Sequence, residues 1–308
     1  VLHNPNGLAS DDRARSAYLR SLRAAFPVVA LVETHCKPTQ EALWAREWGS
    51  GQTFWSSLDA PVAQRGVALL FADTVDVADA SAHHDADGRL LVVTGTLYRN
   101  HKLLFIVSYA HSDSDHDNRD FFAGIPAFVK ARVPDWDQRH VMWLGDHNNV
   151  PNPTIDQLPS PTEGGAAPPH PMGAAAFTAA AEVLGVRDAF RHYRSTTREF
   201  TRVPRGPVAA RATASRRLDR ISATPSLLRR HGAPRVASVW HVSALDPLVA
   251  PRFRDTHGAY ATKPSDHGAV ACRLAFSAQP KPPGRWTFGA RHLLVPEHLE
   301  AMRALIVR

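Results

Sequence analysis

Seven short, largely apolar runs, at 28–32, 67–71, 90–93, 103–107, 141–144, 236–242 and 269–274, constrain what this chain can fold into. They are rich in β-branched residues and bounded by turn residues. Runs of this kind suit strands covered on both faces, because a strand with one wet face alternates polar and apolar residues. Helical patterns lie between them. Ser10, Asp11 and Asp12 open a helix whose Ala14, Tyr18, Leu22 and Phe26 share a face. A second pattern over 117–129 places Phe121, Ile125, Phe128 and Val129 together, and Pro126 is expected to kink or shorten it. An Ala-rich third covers 173–184. Strands alternating with helices and hairpins predict an α/β sandwich.

A chain of 308 residues accommodates one large α/β domain and an appendage. The domain is expected over 1–276, followed over 277–308 by a proline-rich linker and the start of another segment, whose Trp286, Pro296, Leu299, Met302 and Ile306 suggest an amphipathic helix. The 152–170 stretch reads as a long surface loop. The sequence opens at Val1, as expected of a piece of something longer, and its first strand, starting three residues before Asn4, is expected to be a truncated edge. Cys36 and Cys272 form no CxxC, so neither a disulfide framework nor a cysteine zinc site is indicated. The expected setting is reducing, nuclear or cytosolic. No run approaches the roughly 18 apolar residues of a membrane span, and no membrane partner is expected. A net charge of +7 and a pI near 9.8 suit a polyanion such as DNA. Five of the 36 basic residues are Lys and the rest Arg, which fits either bidentate phosphate contacts or a coding bias.

The stretch Val141-Met142-Trp143-Leu144-Gly145-Asp146-His147-Asn148 ends an apolar strand in a carboxylate and an amide two residues apart. Period-two alternation puts Asp146 and Asn148 on one side, where they either hold a water or cap a turn. Five more polar islands accompany it: Asn4-Pro5-Asn6-Gly7-Leu8, Val32-Glu33-Thr34, Ser108-Tyr109-Ala110, Arg217-Leu218-Asp219-Arg220-Ile221 and Ser265-Asp266-His267-Gly268. Each alone has a structural explanation. Together they form the inventory that phosphodiester hydrolysis requires. Glu33 would hold a hard cation with help from Asp266 and the asparagines Asn4 and Asn6. Asp146, oriented by Asn148, would deprotonate the attacking water. His267 and Tyr109 would stabilise the pentavalent oxygens, with Asp219 fixing and charging the histidine.

In this order the motifs resemble those of the endonuclease/exonuclease/phosphatase superfamily, and within it the apurinic/apyrimidinic endonuclease and exonuclease III branch. N-x-x-G-L (Asn4–Leu8), E-T (Glu33-Thr34), the strand-end Tyr109, G-D-x-N (Gly145–Asn148), R-[IL]-D (Arg217–Asp219) and S-D-H (Ser265–His267) carry the resemblance over residues 1 to about 276. It implies a four-layer α/β/β/α sandwich of the exonuclease III / DNase I type, a site at one rim of the sheets, and Mg2+ or Mn2+ as cofactor. Tyr109-Ala110 with the acidic 113–120 stretch and Phe121-Phe122, then Asp188-Ala189-Phe190-Arg191, then 215–221, is similar to the endonuclease domain of non-LTR (LINE-type) retrotransposons. The 285–288 tail resembles the connector to a reverse transcriptase in such elements. That implies a nick that leaves a 3′-hydroxyl, a reverse transcriptase domain as partner in the same polyprotein, and a nuclear location reached after cytoplasmic assembly of the element.

The sequence departs from the pattern at His111, where proline is usual, and at His147, where an apolar residue is usual. The side chain of His147 is expected to point away from Asp146 and Asn148. His35, Cys36, His83 and His84 read as structural or solvated. Candidates for phosphate contacts are Arg194, Arg198, Arg202 and Arg205, together with Arg216, Arg217 and Arg220, and the resemblance to the retrotransposon enzymes implies that the 198–214 segment forms a hairpin that biases target choice. The alternative functions are an apurinic/apyrimidinic repair endonuclease and a catalytically dead DNA-binding module from a decayed element, with a lipid phosphodiesterase more distant.

Overall fold

The computed structural model describes residues 1–8, 12–61, 64–158, 168–203, 215–229, 233–243 and 265–276. Contacts divide the chain into units Val1–Phe276 and Ser277–Arg308. Only the first contains described residues, so the expected linker and amphipathic helix lie outside them, as does most of the expected 198–214 hairpin.

Two six-stranded sheets form the centre among the described residues. The first runs in spatial order β13 (Arg235–Val242), β14 (Ala269–Ala275), β1 (Leu2–His3), β2 (Val28–Val32), β4 (Val67–Ala72) and β3 (Gly51–Ser56). The second runs β10 (Arg187–Asp188), β12 (Asp219–Ala223), β8 (His140–Asp146), β7 (His101–Tyr109), β6 (Leu90–Leu97) and β5 (Val77–His84). A two-stranded ribbon pairs β9 (Gln157–Leu158) with β11 (Ser215–Arg216).

Alternation along the strands sorts side chains into three cores. Ala30 and Val32, Phe105 and Val107, Met142 and Leu144, and Ile221 pack between the sheets. Val29 and Leu31 face outward onto Leu19 and Leu22 of α1 (Asp12–Ala25) and Trp44 and Trp48 of α2 (Glu41–Trp48). Leu104, Ile106, Val141 and Trp143 face the other way, onto Phe122 and Ile125 of α3 (Asp115–Arg132) and Phe177 of α5 (Pro171–Val183). The layers are therefore α/β/β/α, and strands covered on both faces explain the unbroken apolar runs.

Three local expectations change. The first strand is not an edge: β1 lies between β14 and β2, parallel to β2, and Leu2 is fully buried. Pro126 does not shorten its helix, which continues to Arg132; a proline there removes only one backbone donor. The buried face of α3 is Asn118, Phe122, Ile125 and Val129, with Phe121 and Phe128 at its margin. Among the described residues there are two further short α-helices, α4 (Pro153–Asp156) inside the expected 152–170 loop and α6 (Ala189–Tyr193) after β10. Among the described residues no helix is long and apolar enough to cross a membrane.

Candidate active site

The same alternation that fills the core delivers polar groups to one rim. Leu2, Leu144, Val107 and Ile221 occupy the space between the sheets, and two residues along their strands stand Asn4, Asp146, Tyr109 and Asp219. Strand β7 is parallel to β8, with Tyr109 opposite Asp146, and β12 is antiparallel to β8, with Asp219 opposite Asp146. Gly145 permits the close approach, since a side chain there would collide with Ser108.

Placing two carboxylates face to face in a buried site sets their chemistry. Burial first, and the facing Asp219 second, push the Asp146 carboxyl up to about 7. Asp146 is held on both oxygens, accepting from Asn4 Nδ2 at 2.9 Å and from the Asn148 amide at 3.0 Å. Burial alone would raise Asp219 too, but the charge and hydrogen bond of His267, with the Thr201 hydroxyl, keep it below the usual carboxylate range. His267 Nδ1 lies 2.7 Å from Asp219 Oδ2 and 3.8 Å from Asp146 Oδ2. Burial would lower the imidazole, yet Asp219 and then Asp146 push it up to about 10. With Nδ1 committed to Asp219, Nε2–H is the donor left for the cleft. Ser265 Oγ accepts from the His267 amide at 3.0 Å and donates to Asn4 O at 2.6 Å, tying the S-D-H loop to the first strand.

Glu33 sits just beyond β2 with φ of +54°, in the left-handed region, and Asn6, His35 and Asn148 share that conformation around it. Clustered non-glycine residues of this kind mark a site held under strain by its surroundings. Glu33 accepts from Asn4 Nδ2 at 2.9 Å and is hydrogen-bonded to Tyr109. Burial would raise its carboxyl, but His35, Asn4 and Tyr109 hold it below its ordinary value. His35 Nε2 is 3.5 Å from Glu33 Oε1, so this histidine belongs to the site rather than to solvent. The Tyr109 hydroxyl is raised by burial and by Glu33, which keeps it a donor. Arg89, only 6% exposed, stacks its guanidinium 5.1 Å from the Tyr109 ring centre and donates to Tyr109 O at 3.1 Å.

A cleft of about 320 Å³ opens over these groups, lined by Asn6, Glu33, Tyr109, Asp146, Asn148 and His267, with Arg202, Arg216, Leu218 and Asp266 on one wall. Asn148 donates Nδ2 to Ala110 O at 2.9 Å, leaving its side-chain oxygen as an acceptor that can aim a water. Asp146, Asp219 and His267 bring their ligand atoms within 4.8 Å of one another. A charged imidazole is a poor ligand, however, and this trio reads as an acid–base group. The fitting donors for a hard cation are the oxygens of Glu33, with Asn6 and Asp266 on the cleft wall, since magnesium is held by one or two carboxylates and otherwise keeps water. Asn4 accepts from the Asn6 amide at 2.8 Å through its side-chain oxygen and turns its amide nitrogen to both carboxylates, so in this arrangement it orients Glu33 and Asp146.

The arginines divide. Arg217 and Arg220 are each 1% exposed and are corrected as DNA contacts. Arg217 forks onto Asp156 at 2.8 and 3.1 Å and reaches Asp188 at 2.6 Å; Arg191 joins Asp156 as well. Arg220 donates to the carbonyls of Asn149 at 2.9 Å and Arg217 at 2.7 Å. Arg198 is exposed and donates to Thr154 O, Arg194 is exposed, and Arg202 pairs with Asp266 at 2.9 Å. Arg205 lies outside the described residues. His147 points away from the cleft into the rings of Phe122, Trp143 and Phe177, as its strand parity requires.

Three contributors gave no clear sign in the sequence. Thr201 Oγ1 accepts from the amides of Leu218 and Asp219, both at 3.0 Å, fixing the start of β12. Asn118 donates to the carbonyls of His111 and His147, pinning the loops after β7 and β8; a polar residue on the apolar face of α3 was the available signal. Arg89 had only Gly88 before it.

The fold is that of the apurinic/apyrimidinic endonucleases and exonuclease III-type nucleases. Among solved structures, an AP endonuclease from Archaeoglobus fulgidus matches with a TM-score of 0.61 at 20% identity, over 89% of this chain and 97% of that one. The 3′–5′ exonuclease NExo from Neisseria meningitidis matches with 0.63 at 18%, over 89% and 98%. The AP endonuclease LMAP from Leishmania major matches with 0.60 at 13%, over 78% and 81%. At these identities the likeness is one of fold. No protein-family model and no curated protein matches the sequence.

Proposed function

We propose that this chain is a metal-dependent DNA endonuclease that nicks target DNA and leaves a 3′-hydroxyl, the nicking domain of a non-LTR retrotransposon, with a reverse transcriptase domain as its partner in the same polyprotein and nuclear DNA as its target. One observation carries the reading: a fully buried carboxylate, Asp146, stands 3.8 Å from His267, itself 2.7 Å from Asp219, at a cleft that also holds the Glu33 carboxylate. The fold neighbours named as AP endonucleases and a 3′–5′ exonuclease support it, and the motif resemblance supports the finer assignment.

Each residue has a step it can perform. Asp146 accepts a proton from a water aimed by the Asn148 oxygen, the hydroxide attacks phosphorus as the P–O3′ bond breaks, and the departing O3′ takes a proton from solvent water to become the 3′-hydroxyl. His267 Nε2–H donates to the phosphoryl oxygens as negative charge grows on them, and the Tyr109 hydroxyl, whose single proton lies on Glu33 in the free chain, turns to them when substrate is bound. Asp219 keeps the imidazole charged and oriented, and Asn4 holds Glu33 and Asp146 apart at a fixed spacing. Magnesium or manganese, bound through Glu33 with Asp266 and Asn6, would supply charge neutralisation at the phosphate.

Supercoiled plasmid tests the reading. Nicking should require magnesium, stop in EDTA and return when magnesium is restored, and the nicked end should prime a polymerase directly. A chain that cuts only duplexes containing an abasic site would favour the repair alternative that the named AP endonucleases suggest.

A further inference from the structure

Strand β1 runs into two residues that face opposite ways. Asn4 turns to Glu33 and Asp146, whereas His3 meets Tyr18 on the buried face of α1. His3 is 2% exposed and Tyr18 6%. His3 Nδ1 lies 2.5 Å from the Tyr18 hydroxyl, which has this one partner among the described residues. His3 Nε2 is shut off from water and makes no close hydrogen bond. Burial lowers the imidazole to about 4; against it, the Asp219 charge and the His267 main chain, acting as an acceptor, favour the proton. The ring therefore sits directly behind the His267–Asp219 pair.

Proton bookkeeping selects its tautomer. Near neutral pH the ring carries one proton, and burial raises the Tyr18 phenol so that it keeps its own. A proton on Nδ1 would leave both the Tyr18 O–H and the Nε2 lone pair buried without partners. A Tyr18 hydroxyl that donates to Nδ1 instead places the ring proton on Nε2, where the His267 carbonyl is the acceptor at hand.

We propose that His3 is a positioning residue for His267: its Nε2–H steadies the His267 carbonyl from behind, and Tyr18 fixes the tautomer that allows this. The assignment rests on the nuclease reading above. Ser265 Oγ already holds the same loop, accepting from the His267 amide at 3.0 Å and donating to Asn4 O at 2.6 Å. Held at its amide and at its carbonyl, His267 keeps Nδ1 at 2.7 Å from Asp219.

Two measurements on the full chain test it. The first is heteronuclear NMR of the histidine rings near neutral pH without metal, His3 being assigned by its loss in His3→Gln. His3 should show a bare Nδ1 and a protonated Nε2. The low-field proton of the His267 Nδ1–H bond to Asp219 should persist in His3→Gln, whose amide supplies a donor, and should vanish by exchange in His3→Phe. The second is single-turnover nicking. The saturating rate should fall about tenfold in His3→Phe, fall less in Tyr18→Phe and be largely recovered in His3→Gln, with the half-saturating DNA concentration unchanged. A protonated Nδ1 in wild type would overturn the proposal, and so would a folded His3→Phe that keeps both the low-field proton and the wild-type rate. If His3→Phe does not fold, Tyr18→Phe decides: it should lose the fixed tautomer, and a ring unchanged there would refute the hydrogen-bond chain. A wild-type chain that binds DNA and nicks none would defeat the nuclease reading instead, and the NMR would still decide His3.

Discussion

Replacing Arg217 with Met separates two roles that an arginine in this sequence could have. The guanidinium makes three hydrogen bonds, two to Asp156 and one to Asp188, and lies 5.6 Å from the Phe190 ring centre. Methionine fills much of the same volume but leaves two carboxylates facing one another around an apolar stem. Removing one partner from a buried ion pair costs about 3–5 kcal/mol. Arg191 still holds Asp156, and Asp188 has a partly exposed side chain, so the lower figure of about 3 kcal/mol applies. For a domain of this size that is a fall in melting temperature of roughly 6–12 °C. Differential scanning fluorimetry measures it, alongside the salt dependence of DNA binding. The account predicts a large thermal shift with an unchanged salt slope. A variant that melts like wild type while binding DNA with a shallower slope would refute the buried-network assignment and return Arg217 to the DNA surface.

Other outcomes follow from the same geometry. Arg89→Leu removes the stacking and the donor that steady Tyr109, so kcat should fall about tenfold with KM little changed, and Arg89→Lys should recover part of it; a loss confined to KM would contradict the positioning role. The stability that His241 and His147 contribute should fall between pH 6.5 and about 4, because burial lowers His241 to about 4 and lowers His147 well below its ordinary value. Asp146, raised to about 7, acts in the opposite sense over the same window. A histidine whose folded pKa is depressed favours the folded state above its unfolded pKa and loses that contribution as pH falls, so His241 alone is worth about 3 kcal/mol across this window. Urea unfolding at a series of pH values reads the loss, and His147→Phe, which places a ring among Phe122, Trp143 and Phe177, should reduce the acid sensitivity.

The strands that enclose the core were legible because burial on both faces leaves an uninterrupted apolar signature, as in 28–32 and 141–144. Strand β5 was not: Val77–His84 is an edge exposed along much of its length, and its alternating Ala, Asp, Ser and His carry no apolar run. The residues that meet at the rim were legible as motifs, since Asn4, Tyr109, Asp146 and Asp219 each continue the parity of a core strand. Their roles were less so. Nothing in Glu33-Thr34 requires a left-handed backbone at Glu33, and nothing in Asn4 shows that its oxygen turns to the Asn6 amide. Composition misled most with arginine. A count of basic residues says nothing about burial, and Arg217 is held by Asp156 and Asp188 and Arg220 by the Asn149 carbonyl, all far from them in sequence. Arg202 and Arg216 became distinct from them only when strand pairing placed both on the cleft wall.

Single-turnover nicking by Asp146→Asn shows whether Asp146 is the base. The substitution keeps shape and removes the proton acceptor, so the account predicts a fall of at least about 10²-fold in the nicking rate, with magnesium saturating and with DNA affinity and melting temperature preserved. Nicking within a few-fold of wild type by a variant shown to be folded would contradict the assignment of Asp146 as the base.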